Sequence, residues 1–351
     1  QMEYALEVDP SILFVTGWNE WTAGRHESWS DIENAFPDQY IDEYSRDMEP
    51  SKGELKDHYY YLLVNSMRRF KGCNPMPEPT VIKTIDINGD ISQWEDVGPY
   101  YAAYIGNTDD RNAEGYGSLV YTETSGRNDI VGAQVARDDE YVYFNIECAE
   151  DITPYTDKLW MTLYIDSDQE NQGWETFDYV VNKSAASAST AVLEKFTGEG
   201  YNSEKVADVE YKVTGRYMVV KISKASLGLE GNDYTINFSC TDNVHDEGNY
   251  DVFSGDIMDF YISGDVAPGA RFKYSYISTQ DNSVETLPET DPPATEPQTE
   301  APGTEAPQTD SSTDDGSENS EGCKSVFGGT TVALVSVMVG AAMFVTKKKR
   351  I

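Results

Sequence analysis

A carboxylate between two tryptophans is the first feature of the sequence that suggests chemistry. Glu20 lies in the run Trp18-Asn19-Glu20-Trp21. Aromatic rings supply flat apolar surface for sugar rings, and a carboxylate beside them can exchange protons or accept hydrogen bonds from hydroxyl groups. Because glycoside hydrolysis generally needs two carboxylates, Glu20 is either one of a catalytic pair or a residue that only binds sugar or braces the site.

An acidic loop in the middle of the chain predicts a metal site. Asp166, Asp168 and Glu170 alternate after an apolar run, and Gly173 and Asp178 follow. Carboxylates at this spacing in a turn can supply several oxygens to one Ca²⁺ ion. The complete EF-hand pattern is absent, so an acidic, solvated loop is an equal alternative. Ca²⁺ is therefore the only cofactor expected, and no organic cofactor is predicted.

A tryptophan in this same loop is a candidate for stacking on sugar rings. Trp174 stands between Gly173 and Glu175 in polar surroundings, where an exposed ring would offer apolar area to a ligand. The alternative is a tryptophan folded over a turn. Trp94 and Trp160 lie in strand-like runs and are expected in the core.

Charge and cysteine content exclude several classes of protein. The chain has 26 Lys and Arg against 62 Asp and Glu, a net charge of −36, which is incompatible with the basic surface of a nucleic-acid binder. Cysteines stand at positions 73, 148, 240 and 323 with no C-x-x-C pair, which argues against a zinc knuckle. Cys148 and Cys240 are expected to be either a disulfide or two buried thiols.

The order of elements in residues 1–72 predicts the last, truncated unit of an α/β (TIM-type) barrel. A helix ends near Val8, the apolar strand Ile12–Val15 follows, and a second helix covers about 58–70. Such a strand would place Asn19 and Glu20 at the carboxyl end of the barrel, where barrel enzymes carry their active sites. One unit cannot close a barrel of about 250 residues, so we expect further units upstream and no activity from this chain alone.

The run Gly17-Trp18-Asn19-Glu20-Trp21 resembles the final barrel strand of family 99 glycoside hydrolases and of the related family 71 and WbsX-like proteins. The resemblance implies that Glu20 is a catalytic carboxylate and that Trp18, Asn19 and Trp21 bind substrate.

The second catalytic glutamate of family 99 has no counterpart, because Ala23 occupies its position. Asp47, Glu49 or a residue of the upstream barrel are the candidates to replace it.

Residues 80–278 are expected to form an all-β sandwich of the jelly-roll-like kind. Short β-branched and aromatic runs separated by turn residues predict strands near 117–124, 130–136, 141–148, 160–165, 176–181, 217–222 and 234–239. The stretches 87–94, 135–138, 141–146, 163–166, 255–261 and 268–272 resemble family 9 carbohydrate-binding modules. That resemblance implies sugar binding and structural calcium.

The remaining segments predict a cell-surface protein. Residues 73–79 are a linker, and 279–322, rich in Pro, Thr and Glu, form a disordered stalk. Residues 326–346 carry no charge and are long enough for a single transmembrane helix, and the basic tail 347–351 would be cytoplasmic. The folded domains of this multidomain chain would then be extracellular.

Two functions are compatible with these expectations, besides a structural surface-layer protein in which neither site works. The first is the C-terminal part of a membrane-anchored glycoside hydrolase with an attached carbohydrate-binding module. The alternative is a non-catalytic cell-surface glycan-binding protein. In both, the partners are a polysaccharide or glycan and the membrane.

Overall fold

The structure, a computed structural model, describes residues 1–19, 24–29, 31–36, 47–50, 55–108, 111–114, 120–184, 187–279 and 343–346. This part of the chain is mostly β and contains two α-helices. The helices are α1 (Met2–Val8) and α2 (His58–Lys71), and short 3₁₀ helices cover Ile91–Trp94, Lys224–Leu227 and Ile257–Tyr261. The strands are β1 (Ile12–Val15), β2 (His26–Trp29), β3 (Ile32–Ala35), β4 (Tyr101–Ala102), β5 (Arg111–Glu114), β6 (Val120–Glu123), β7 (Ile130–Arg137), β8 (Tyr141–Cys148), β9 (Thr162–Asp166), β10 (Tyr179–Val181), β11 (Thr190–Phe196), β12 (Ser203–Thr214), β13 (Tyr217–Ser223), β14 (Tyr234–Asp242), β15 (Asp265–Ala267), β16 (Tyr274–Ser278) and β17 (Met343–Thr346).

The main sheet has eleven antiparallel strands and curls into a half-barrel. The order is β15-β14-β9-β10-β11-β12-β13-β8-β7-β4, and β16 pairs with β14. Side chains alternate between the two faces of each strand. On β8, Val142, Phe144 and Ile146 enter the largest hydrophobic core, which the curl encloses.

Covering segments bury parts of the opposite face of the sheet. Tyr143 of β8 and Val219 of β13 pack with Trp94 and Ile85 from the segment that precedes β4. Tyr164 of β9 packs in a separate aromatic cluster. Strands β8 and β9 are buried almost throughout and are accordingly rich in apolar residues, whereas β12 exposes many charged side chains.

The jelly-roll-like sandwich is therefore a wrong prediction. The predicted strand positions correspond to real strands, but these strands hydrogen-bond into one continuous sheet rather than two packed sheets. The segments that cover the outer face are loops and 3₁₀ turns, which carry no period-two pattern, and so the sequence did not distinguish a curled sheet from a sandwich.

The TIM-type barrel is also a wrong prediction. In the described part of residues 1–72, β1 pairs antiparallel with β17, and β2 and β3 form an antiparallel hairpin. A barrel strand would need parallel neighbours on both sides. The helix expected over 58–70 is present as α2, but it packs against loops of the main sheet.

A polar and aromatic contact joins α2 to those loops. Tyr61 Oη lies 3.0 Å from Tyr261 Oη and accepts the Arg271 amide at 2.8 Å, while Tyr261 donates to Asp57 Oδ2 at 2.9 Å. The Tyr61 ring meets Phe272 edge-on at 5.1 Å between centroids. Three basic residues in the last turn of α2 complement its dipole.

The C-terminal segments are described only over β17. All of the predicted stalk except Thr279 and most of the predicted transmembrane helix lie outside the described residues, and the last four residues of that span form a strand. None of the helices in the described part combines the length and the apolar character that a membrane crossing requires.

Candidate functional site

An open, acidic groove lies where the turn between β7 and β8 meets the segment that precedes β4. Its volume is about 630 Å³, within the range of about 300–1,000 Å³ common for small-molecule sites. Strands β12 and β13 contribute Glu210 and Lys221 to a further wall of the groove. The groove is lined by Thr84, Ile85, Asp86, Ile87, Asn88, Asp138, Asp139, Glu140, Tyr141, Tyr143, Glu210 and Lys221.

The β7–β8 turn is fixed by Asp138. Its Oδ1 accepts the amides of Glu140 at 2.8 Å and Tyr141 at 2.7 Å, and its Oδ2 accepts the Tyr143 hydroxyl at 2.7 Å. Partial burial acts to raise the pKa of Asp138, but these hydrogen bonds outweigh it and hold the pKa below its usual value. Asp138 is therefore ionised at neutral pH and presents a rigid turn to the groove.

The other wall is held against β7 by backbone and core contacts. The Lys83 amide donates to the Arg137 carbonyl at 2.8 Å, and the side chain of Trp94, 2 % exposed, anchors the segment in the core. Asp86 accepts the Asn88 amide at 3.0 Å, which shapes the turn at the groove's edge. The groove is thus bounded by two ordered loops on a rigid sheet.

The charge of the groove is strongly negative. Among the described residues, five carboxylates line it with one ammonium group, that of Lys221. The Lys221 Nζ lies 4.2 Å from the centre of the Tyr141 ring and 3.9 Å from Glu210 Oε2. Asp139, Glu140 and Glu210 are exposed, so they can accept hydrogen bonds from a ligand and repel anions.

Sequence reasoning did not select the groove residues as a site. The two stretches that carry them, 87–94 and 135–138 with the strand that follows, were singled out only as a family resemblance. Nothing in the sequence showed that β12 and β13 would bring Glu210 and Lys221 beside those stretches.

The structure brings three of the four predicted metal ligands together. Single carboxylate oxygens of Asp166, Asp168 and Asp178 lie within 4.8 Å of one another. Glu170 is not in this group and accepts instead from the side chain of Gln172 at 2.5 Å.

A lysine already supplies positive charge to this cluster. Lys273 Nζ donates to Asp166 Oδ2 at 2.9 Å, and Asn237 donates to the same oxygen at 3.2 Å. Burial, and after it the charges of Asp168 and Asp166, raise the pKa of Asp178. A Ca²⁺ ion could bind these oxygens only by sharing Asp166 with Lys273, so calcium here remains a prediction.

The turn that delivers Asp178 depends on Gly173. Gly173 has φ +73°, and a Cβ atom there would lie 1.9 Å from the Phe177 carbonyl oxygen. Trp174 and Phe177 exchange backbone hydrogen bonds of 3.0 and 2.8 Å across this turn. Any larger residue at position 173 would collide with the backbone.

Trp174 does not form an exposed sugar platform. Its side chain is 4 % exposed and lies in the cluster with Tyr164, Phe196 and Phe260. The indole Nε1 donates to the Gly255 carbonyl at 3.0 Å. The alternative given by the sequence, a tryptophan folded over a turn, describes what the structure shows. The expectation that Trp94 and Trp160 are core residues is confirmed.

The sequence-predicted catalytic region is only partly described. The amide of Glu49 donates to the Trp18 carbonyl at 2.9 Å, the Trp18 ring lies 6.1 Å from Tyr60, and Asp47 is buried. Asn19 is exposed. Glu20 and Trp21 lie outside the described residues, so the pairing of Glu20 with Asp47 or Glu49 remains a prediction.

The cysteines of the main sheet are free. Cys148 and Cys240 are both buried thiols, and burial raises the pKa of each well above its usual value. They act as small apolar residues of the core.

Comparison of the chain with protein families, with curated proteins and with solved structures finds no match.

Proposed function

We propose that this protein binds glycans without cleaving them, and that the acidic groove is the binding site. The observation that supports the proposal is the placement of exposed Asp139, Glu140 and Glu210 around the half-buried ring of Tyr141 in one groove. Neighbouring sugar hydroxyls can donate to such carboxylates in charge-assisted hydrogen bonds. An aromatic ring beside them offers a surface to the apolar face of the sugar.

The charge of the groove restricts the class of glycan. Five carboxylates against one lysine disfavour phosphorylated, sulfated or uronic-acid ligands, because like charges repel. Neutral and amino sugars remain. The open shape of the groove suits an internal part of a chain as well as its end.

Hydrolysis is the less supported function. The expectation of a hydrolase depended on a TIM-type barrel, which the structure does not contain in its described part, and on Glu20, which lies outside the described residues. The groove offers hydrogen-bond acceptors around the ring of Tyr141, and a binding role needs no second catalytic group.

The proposal is tested by presenting the full chain to an array of neutral, amino and acidic oligosaccharides. We expect binding to neutral or amino glycans and not to acidic ones. The double variant Asp139→Asn/Glu210→Gln should lose at least about tenfold in affinity, because two charge-assisted hydrogen bonds are weakened.

A matched control is Glu150→Gln/Glu204→Gln, which neutralises two exposed acids that do not line the groove. It should bind like the unmodified chain. Equal loss in both double variants, or binding to no glycan, would contradict the proposal. Release of reducing ends from a bound glycan would favour the hydrolase instead.

We further propose that binding takes place at a cell surface, with the chain held at the membrane by its C-terminal apolar segment. The support is the sequence alone, which has 21 uncharged residues from 326 to 346 before the cluster of Lys347, Lys348, Lys349 and Arg350. In the anchored form residues 343–346 would lie in the membrane instead of pairing with β1 as β17. Membrane fractionation of cells that produce the chain with and without residues 326–351 tests this. Equal release of both forms into the soluble fraction would contradict it.

A further inference from the structure

Two carboxylates lie at the start of β7, at the opposite end of this strand from the turn that lines the acidic groove. Asp265, the first residue of β15, accepts the Ile130 amide on Oδ2 at 2.5 Å. Asp129, immediately before β7, accepts the Gly106 amide on Oδ2 at 2.9 Å. A backbone amide thus fixes one oxygen of each carboxylate. Asp265 binds the amide of Ile130, the residue that follows Asp129, and this contact brings the two side chains together.

The second oxygen of each carboxylate is buried without a partner. Asp265 is 1 % exposed, and Oδ1 of both Asp265 and Asp129 is inaccessible and accepts no hydrogen bond. Among the described residues no lysine or arginine pairs with either. A buried, unpaired carboxylate is costly unless a cation or a proton compensates it.

Neighbouring charges do not provide that compensation. Asp242 lies opposite Asp265 in the β14–β15 register, and its own charge is balanced by Arg127 at 2.8 Å and the Met161 amide at 2.8 Å. Burial, together with the charge of Asp129, raises the pKa of Asp265 to about 7. Within the described part of the chain, neither Oδ1 has a donor or a cation within hydrogen-bond distance, whereas Asp166 accepts a hydrogen bond from Lys273.

We propose that a Ca²⁺ ion binds between Asp129 Oδ1 and Asp265 Oδ1 and joins β7 to β15. Carboxylate oxygens are hard ligands of the kind that Ca²⁺ prefers, and its coordination tolerates irregular geometry. Asn107 acts to lower the pKa of Asp265, which places its side chain beside the same carboxylate. The site is separate from the predicted cluster of Asp166, Asp168 and Asp178.

Calorimetric titration of the full chain with CaCl₂, after removal of metal with EDTA, tests the proposal. The background is Asp168→Asn, which removes the exposed carboxylate of the other cluster. We expect this protein to bind one equivalent of Ca²⁺ and to unfold at a higher temperature with Ca²⁺ than with EDTA.

Adding Asp265→Asn or Asp129→Asn to the Asp168→Asn chain should abolish the binding of this one equivalent of Ca²⁺. It should also abolish the rise in unfolding temperature that Ca²⁺ causes. Asp129 is only half-buried, so its variant tests the site even where Asp265→Asn fails to fold, with circular dichroism as the check of folding. Binding by both double variants would overturn the proposal. If the Asp168→Asn chain bound no Ca²⁺, the proposal would also be overturned. A proton shared by Asp129 and Asp265 would then compensate their charge.

Discussion

The carboxylates of the groove and those buried in the sheet have the same chemistry but opposite situations. Asp139, Glu140 and Glu210 are exposed around an open volume, whereas Asp166 and Asp265 are buried. Water solvates the first group, so its charges cost little and are available to a ligand. Each of the second group needs a specific compensating partner, because a low-dielectric interior does not solvate charge.

The difference shows how acidic residues divide between binding and structure in a chain of charge −36. The buried carboxylates hold strands and turns in place through amides and through Lys273. The exposed ones of the groove are expected to contribute little to folding, and their oxygens are free to contact the proposed ligand. Three substitutions or conditions test this division, and the expected effect on the free energy of unfolding decreases from the first to the last.

Lys273→Met should produce the largest loss. Lys273 is buried against Asp166, with side chains 16 % and 4 % exposed, so its removal leaves a buried carboxylate uncompensated. We expect a loss of about 3–5 kcal/mol in urea unfolding. The matched variant Lys205→Met breaks the exposed pair with Asp208 and should cost below about 1 kcal/mol. Equal losses would mean that burial does not distinguish the two kinds of carboxylate.

The pH dependence of unfolding in EDTA should depend on Asp265. Its pKa is about 7 in the folded chain and about 3.9 in an unfolded one, so the folded state binds a proton that the unfolded state has released. Stability from this group is therefore lost as the pH rises from about 4 to about 7, by at most roughly 1.4 kcal/mol per unit.

Asp242, with a pKa raised by burial to about 6, adds a slope of the same sign over a narrower window. Asp138 has a lowered pKa, so its contribution is complete above about pH 4 and is lost only at lower pH. Urea unfolding of Asp265→Asn at pH 5 and pH 7 should show a smaller difference than the unmodified chain. An unchanged difference would contradict the assignment.

Glu210→Gln should have the smallest effect on stability. The side chain is exposed and lies 3.9 Å from Lys221, so the change should cost less than about 0.5 kcal/mol. It should nevertheless weaken glycan binding. A large loss of stability would place Glu210 among the structural carboxylates and remove it from the proposed site.

Much of the secondary structure could be predicted from the sequence. The β-branched runs at 141–148 and 217–222 and the helical pattern at 58–70 correspond to β8, β13 and α2, because strong local periodicity reflects burial. The architecture could not be predicted. Whether strands pair into one sheet or two depends on long-range contacts, and the antiparallel pairing of β1 with β17 joins residues more than three hundred positions apart.

The candidate sites show the same limit. The convergence of Asp166, Asp168 and Asp178 was visible from spacing, since a single turn brings them together. Lys273, which neutralises Asp166, and Asp265, which meets Asp129, come from distant parts of the chain. Trp174 has polar neighbours in sequence, yet the aromatic residues that bury it come from β9, from β11 and from a 3₁₀ helix up to 86 positions away.

Hydrogen–deuterium exchange of the full chain, with and without an oligosaccharide selected on the array, tests the proposed function most directly. A ligand in the groove should slow exchange of the amides in 84–88 and 138–143, whose loops line it, and leave the amides of 166–178 unchanged. Protection confined to residues outside the groove, such as 12–19 or 166–178, would contradict the assignment of the groove as the glycan-binding site.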